Sequence, residues 1–394
     1  MLYKKIIQFI FIFFVNVIIF FKSNIKKKLN FHLENSKNNK ELKSIEENLF
    51  KIINYKLYES YHFYEKVDNP KISVVISVYN GEGYIRRTLF SIQNQDFKDI
   101  EIIMIDDCSK DKSVNLINKL MKRDKRIKLF QNKHNRGSLY TKANGILKAK
   151  GKYVMLIDED DMYVQENAFS TLYKVAEKNN LDMLSFGLLI KFVESKEEKF
   201  YKILDTPIIY QPEISRNMYN YSEKNEVIRT GGLLMNYLIK TEIGIRSINQ
   251  IENKYMNSVI SFHDDLFLFF VITRNANTLK RIKNIFYFIL KENENQNKLK
   301  LFRLKEKRKN GFNMICYAFI SYIEFLLIHT SNSFLDKKIA ASELKTWYLN
   351  HKCKSNNITR NLSNRVLKQY LENKFIENRT KFEIIKFLNS TKNK

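Results

Sequence analysis

Between residues 71 and 164, short solid apolar runs alternate with stretches whose apolar positions recur at helical spacing. The runs "KISVVISVYN" and "IEIIMIDD" are rich in β-branched residues and bounded by turns, which predicts buried strands. Between them, "EGYIRRTLFSIQNQ" places Ile85, Leu89 and Ile92 on one helical face. "SVNLINKLMKR" predicts a second helix, "IKLFQN" a third strand, "YTKANGILKAK" a third helix and "KYVMLID" a fourth strand. Strands alternating with helices in this way predict an α/β domain with a mainly parallel sheet flanked by helices.

Beyond residue 165 the pattern loosens. "NAFSTLYKVAEKN" reads as a helix and "DMLSFGLLIKF" as a strand, followed by a polar stretch to about residue 228. "GGLLMNYLIK" is a glycine turn leading into another element, and "SFHDDLFLFFVI" puts a carboxylate pair at the start of an apolar helix. The core domain is therefore expected over residues 70–295. A basic, helical C-terminal region, 296–394, opens with "KLKLFRLKEKRK" and includes "CYAFISYIEFLLI", where Glu324 favours a packed helix over a membrane span.

The N-terminal pattern is different again. Ile6 to Phe21 are almost wholly apolar and are followed by "KSNIKKK". Sixteen residues rising about 1.5 Å each give roughly 24 Å of helix, short of a ~30 Å hydrocarbon core. No small-residue cleavage site follows, so residues 1–22 read as an anchor in a thin membrane or as an uncleaved signal. Residues 23–69 read as a polar stem with some helix. The expected location is a membrane crossed once near the N-terminus, in the ER or Golgi if the chain is eukaryotic. A lumenal domain would then present Asn220, Asn357, Asn361, Asn378 and Asn389 as glycan acceptors.

Composition refines this only modestly. The chain has 394 residues, 44% hydrophobic and 28% charged, which is globular rather than disordered. With 68 Lys+Arg against 42 Asp+Glu the formal net charge is +26, which favours anionic partners. No nucleic-acid motif with interleaved aromatics is present, so DNA and RNA are not expected partners. Cys108, Cys316 and Cys353 lie too far apart for a metal-ligand spacing and are odd in number for a disulfide framework.

Against that basic background the acids are concentrated. Asp106 and Asp107 end the second strand, and Asp158, Glu159, Asp160 and Asp161 end the fourth. Carboxylates this close repel one another unless something positive compensates them. In parallel α/β sheets ligands bind at the carboxyl ends of strands. Two acidic strand ends on one edge therefore make a candidate site for a phosphate-bearing donor and a cation.

The ordered series "ISVVISVYNGEGYIRRTLFSIQNQ", "IEIIMIDDCSKDKS" and "NRGSLYTKANGILKAKGKYVMLIDEDD" resembles family 2 glycosyltransferases, inverting enzymes of the GT-A (nucleotide-diphospho-sugar transferase) fold. "SFHDDLFLF" is similar to the family's later acidic motif. The resemblance implies a nucleotide-sugar donor, UDP-linked in the commonest case, a divalent cation (Mn²⁺ or Mg²⁺) and transfer to an acceptor hydroxyl in one displacement. It implies Asp160 as a direct metal ligand assisted by Asp158, with Asp161 orienting backbone. It implies that Asp107 accepts from the base's ring N–H, that Ser77 and Tyr79 pack base and ribose, and that Lys142 steadies a phosphate. Asp265 is the implied general base, with Asp264 placing the acceptor or its loop.

Lys142 stands where many relatives carry arginine, and Asp264-Asp265 where Glu-Asp is usual. The Gln-x-x-Arg-Trp signature of processive relatives is absent from the sequence. Each residue also has a structural reading: a solvated acidic turn, a helix cap for Asp264 and Asp265, a turn cap for Ser77, a solvated helix lysine for Lys142, a packing or surface His263. Two other functions stay open at this point, a nucleotidyltransferase that makes nucleotide-sugars and a non-catalytic membrane-bound module that binds sugar-nucleotide or lipid.

Overall fold

A computed structural model describes residues 40–55, 63–192, 198–201, 203–211, 213–214, 219–221, 227–229, 233–257, 260 and 264–291. The expected anchor (1–22), the basic region (296–394) with Glu324, His263, and Asn357, Asn361, Asn378 and Asn389 lie outside the described residues. Among the described residues no helix is long and apolar enough to cross a membrane.

The chain runs α1 (Lys40–Ile53), β1 (Ile72–Val78), α2 (Ile85–Gln93), β2 (Ile100–Asp106), α3 (Ser113–Met121), β3 (Ile127–Gln131), α4 (Ser138–Lys148), β4 (Tyr153–Asp158), β5 (Met162–Tyr163) and α5 (Ala168–Asn179). It continues through β6 (Met183–Phe192), β7 (Glu198–Tyr201), β8 (Ile209–Tyr210), β9 (Tyr219–Tyr221), β10 (Val227–Arg229), a 3₁₀ turn (Leu234–Asn236) and β11 (Tyr237–Lys240). Last come α6 (Thr241–Ile248), α7 (Asn253–Met256), α8 (Asp264–Asn275) and β12 (Thr278–Lys291). β9 and β10 pair antiparallel with each other. The main sheet has the order β3-β2-β1-β4-β11-β6-β12-β5, with β7 on β6 and β8 on β12.

The strands read as solid apolar runs because helices cover both faces. Val75, Ile103, Ile105, Val154 and Leu156 point to the face covered by α4, α6 and α8. Their neighbours Val74, Ile76, Ile102, Met104, Met155 and Ile157 point to the face covered by α2, α3 and α5. Gly145 of α4 lies so close to β1 that a Cβ there would sit 2.2 Å from Val75 Cγ1.

The expected mainly parallel sheet is corrected to a mixed one. β3, β2, β1 and β4 are parallel, as are β6 and β12. β11 runs antiparallel to both β4 and β6. The crossover through α5 carries the chain from β4 past one strand position to β6, and β11 fills that slot from the opposite direction. The order 3-2-1-4 reverses between β1 and β4, which puts a topological switch point, the usual ligand crevice of such sheets, at their C-terminal ends.

α1 falls within the stretch read as a stem, and it packs onto the domain. Ile45, Leu49 and Ile52, spaced for one helical face, cluster with Met162, Val164, Leu189, Ile285 and Phe288. Lys51 Nζ adds an ion pair to Glu166 Oε1 at 3.1 Å. Met162 and Val164 directly follow the acidic turn, so α1 braces the segment that carries it. Leu49 is fully buried, and Leu49→Ala is expected to cost about 3 kcal/mol of stability. Thermal unfolding of the full chain checks this, and an unchanged melting temperature would mean that α1 is not part of the folded body.

Candidate active site

The turns after β1 and β2 are fastened to each other. Asn80 takes a left-handed conformation (φ 57°), as does Cys108 (φ 65°). Asn80 N donates to Ser109 Oγ (2.9 Å), Gly81 N to Ser113 Oγ (2.9 Å) and Glu82 N to Asp111 Oδ2 (3.0 Å). In return Lys110 N donates to Asn80 Oδ1 (2.7 Å) and Lys112 N to Glu82 Oε2 (2.6 Å). The alternate spacing of Ser109, Asp111 and Ser113 therefore matches successive backbone N–H groups of the facing turn. Tyr79, at the mouth of this clasp, is 47% exposed, as a residue that stacks on a ligand would be.

Asp107 clamps the entry to α4. Its Oδ1 accepts from Asn132 Nδ2 (2.8 Å) and Arg136 N (2.7 Å), and its Oδ2 from Gly137 N (2.9 Å). A carboxylate has about four acceptor positions, so hydrogen bonding to a base would use what these three donors leave. Asp106 is buried beneath it and approaches Ser109 N at 3.3 Å through both oxygens.

The acidic turn after β4 is held from α2. Thr88 Oγ1 donates to the Glu159 carbonyl (2.7 Å) and Arg87 Nη2 to the Asp160 carbonyl (3.1 Å). Ser77, paired with Asp158 across β1 and β4, donates its hydroxyl to Asp158 Oδ1 at 3.1 Å. Asp161 turns inward, where Tyr287 OH donates to its Oδ2 at 2.7 Å. Burial, then the charges of Asp160 and Asp158, push the Asp161 carboxyl well above the usual carboxylate range, against the lowering effect of the Tyr287 hydrogen bond.

The remaining repulsion is met by Lys142. Its side chain is 6% exposed, and its Nζ lies 3.2 Å from Asp158 Oδ1, 3.0 Å from Asp264 Oδ2 and 2.8 Å from Asp265 Oδ1. Burial alone would depress this ammonium, but the charges of Asp158, Asp264 and Asp265 hold it well above the usual lysine range. Lys142 is therefore neither a solvated helix lysine nor, in this arrangement, a group held ready for a phosphate alone. Burial raises Asp265 to about 7, with Lys142 opposing the rise and Asp264 and Asp158 adding to it.

The start of α8 is carried to this point by contacts that the sequence reading missed. Leu139 N donates to the Ile260 carbonyl at 3.0 Å. Arg136 Nη2 donates to the Met256 carbonyl (3.2 Å) and to Asn257 Oδ1 (2.9 Å), while its guanidinium covers the Tyr140 ring at 3.8 Å. Gly137 has φ 81° and ψ 162°, and a Cβ there would stand 2.6 Å from the Ile260 carbonyl oxygen. The Arg-Gly pair just before a predicted helix was the available signal.

Among the described residues no three His, Cys, Asp or Glu side chains form a metal cage. Asp158 and Asp160 nevertheless supply the hard oxygens that suit a divalent cation whose other ligands come from a diphosphate and water. A cleft of about 490 Å³ lined by Pro70, Lys71, Lys150, Lys152, Tyr173 and Glu177 lies at the opposite, N-terminal edge of the strands and contains none of these acids.

A mixed sheet with acids at the β1/β4 switch point, faced by a second acidic pair from α8, is a GT-A-like arrangement. Residues 73–235 match the model of glycosyl transferase family 2. A glycosyltransferase of Haemophilus influenzae is 25% identical over 244 residues, 56% of this chain and 94% of the relative. The GalNAc(5)-diNAcBac-PP-undecaprenol beta-1,3-glucosyltransferase of Campylobacter jejuni is 40% identical over 110 residues, 28% of this chain and 35% of the relative. The chain thus spans about a third of that second protein. Among solved structures, S. aureus TarS 1–349 in complex with UDP-GlcNAc superposes with a TM-score of 0.55 at 17% identity, covering 79% of this chain and 82% of that one. A second structure of S. aureus TarS gives a TM-score of 0.53 at 17% identity over 79% of this chain and 50% of that one. At this identity the likeness concerns the fold.

Proposed function

We propose that the chain is an inverting glycosyltransferase that moves a sugar from a UDP-linked donor to an acceptor hydroxyl, with a divalent cation. The observation that carries this reading is the meeting of Asp158, on the donor side of the sheet, with Asp265, on α8, around a single buried ammonium. The UDP-GlcNAc complex of the similarly folded TarS supports the donor class.

Ser77 and Tyr79 would receive the nucleoside beside the clasped turns. Asp160 and Asp158 would hold the cation, which when bound offsets charge on the departing diphosphate. Asp265 in its ionised form takes the proton of the acceptor hydroxyl as that oxygen bonds to the anomeric carbon. The bond from that carbon to the diphosphate oxygen breaks, and its electron pair leaves with the nucleoside diphosphate. One displacement of this kind inverts the anomeric centre. A carboxyl near 7 is suited to such a proton transfer at neutral pH.

Calorimetric titration of the full chain with a panel of nucleotide-sugars, with Mn²⁺, with Mg²⁺ and with chelator, tests the reading. One UDP-sugar is expected to bind in the presence of metal and to lose most of its affinity with chelator or in Asp160→Ala. Folded protein that binds no nucleotide-sugar under any metal condition would overturn it.

A further inference from the structure

Lys142 has three N–H donors and no acceptor, and three carboxylates surround it. Two of them, Asp264 and Asp265, belong to α8, whereas Asp158 ends β4 in the middle of the sheet. The three oxygens lie 2.8 to 3.2 Å from Nζ: Asp265 Oδ1 accepts a hydrogen bond and the other two are ion-pair contacts, so the ammonium's charge is shared among three carboxylates of the protein. Stability alone is a weak reason for such a cluster, because gathering buried charges costs desolvation that well-packed apolar side chains avoid.

We infer that Lys142 is a positioning residue: its ammonium bridges Asp158 on the donor side and Asp264 and Asp265 on the acceptor side, and so sets where the general base stands relative to the donor. This rests on the transferase reading above. The bridge is short and specific. Lys142 rises from α4, whose first turn also anchors the segment ahead of α8 through Leu139 N and the Ile260 carbonyl. One helix therefore holds both the backbone approach to α8 and its first two side chains. Because Asp265 Oδ1 is engaged by Lys142, Oδ2 is the oxygen that takes the acceptor proton. Lys142 touches neither reactant and acts through Asp265.

The test uses the full chain, the UDP-sugar that binds best, and release of nucleoside diphosphate with water as acceptor. Lys142→Met is expected to lower turnover by about 100-fold or more, leaving the donor dissociation constant nearly unchanged. Lys142→Arg, which keeps the charge, is expected to recover much of that loss. Lys142→Met combined with Asp265→Asn should be no slower than Asp265→Asn alone, because both changes disable one device.

Donor affinity that falls in step with turnover in Lys142→Met would overturn the inference and make Lys142 a phosphate ligand. Losses that multiply in the double variant would overturn it as well. Where Lys142→Met does not fold, Lys142→Met/Asp264→Asn removes one of the carboxylates left unpaired. It should show the same split, and near-normal turnover in it would overturn the bridge. If the unaltered chain binds no nucleotide-sugar, the transferase reading itself fails, a result distinct from all of these.

Discussion

Asp265→Asn is expected to lower turnover by about 10²- to 10⁴-fold, the usual contribution of a positioned general base, while donor binding persists. The amide keeps the shape of the side chain and can still accept from Lys142, now 2.8 Å from Oδ1, but it cannot take a proton. The unaltered chain should carry the companion signature in its pH profile. Asp265 is raised to about 7 chiefly by burial, and the proposed base works in its ionised form. Hence kcat/KM should fall about tenfold per unit as pH drops below that value and level off above it. The profile is read on the free protein with donor below its KM. An Asp265→Asn chain with normal turnover, or a profile flat between pH 5 and 8, would remove Asp265 from the role of base.

Gly137→Ala is expected to destabilise the domain by about 3 kcal/mol or more and to displace the acidic pair of α8. The backbone at φ 81°, ψ 162° lies in a region that essentially only glycine occupies. An added Cβ would also stand 2.6 to 2.9 Å from the carbonyl oxygen, nitrogen and carbonyl carbon of Ile260. These are backbone atoms, so relief requires moving the chain just ahead of Asp264. The hydrogen bond from Gly137 N to Asp107 Oδ2 would be strained with it. Thermal unfolding and turnover measured together check this. A melting temperature within a degree of the parent, with unchanged turnover, would show that the contact does not govern the placement of α8.

Much of the scaffold was legible in the chain. β1, β2 and β4 read as strands because burial on both faces demands unbroken apolar runs. α2 read as a helix because Ile85, Leu89 and Ile92 lie on the face that packs against the sheet. The direction of β11 was not legible. "YLIK" has the same local pattern in a parallel or an antiparallel slot, and only the crossover that skips a strand position leaves the antiparallel one open. α1 was read only as part of a polar stem with some helix, and its docking was not legible, because Met162, Val164 and Ile285 that receive Ile45, Leu49 and Ile52 are distant in sequence.

The candidate site divides in the same way. By local composition alone, the chain determined that acids end β2 and β4, that a second acidic pair opens α8, and that glycine and asparagine punctuate the turns between. Those features follow from residue type and spacing within a few positions. Only the tertiary structure decided how the acids are compensated. The sequence suggested one external cation for the whole run, whereas the fold buries Asp161 against the Tyr287 hydroxyl and brings Lys142 between Asp158, Asp264 and Asp265. A lysine on a helix looks solvated until the packing of α4 against β1 and α8 removes water from it. Proton affinity and ion pairing depend on distance and desolvation in three dimensions, and neither is written in the spacing of residues along the chain.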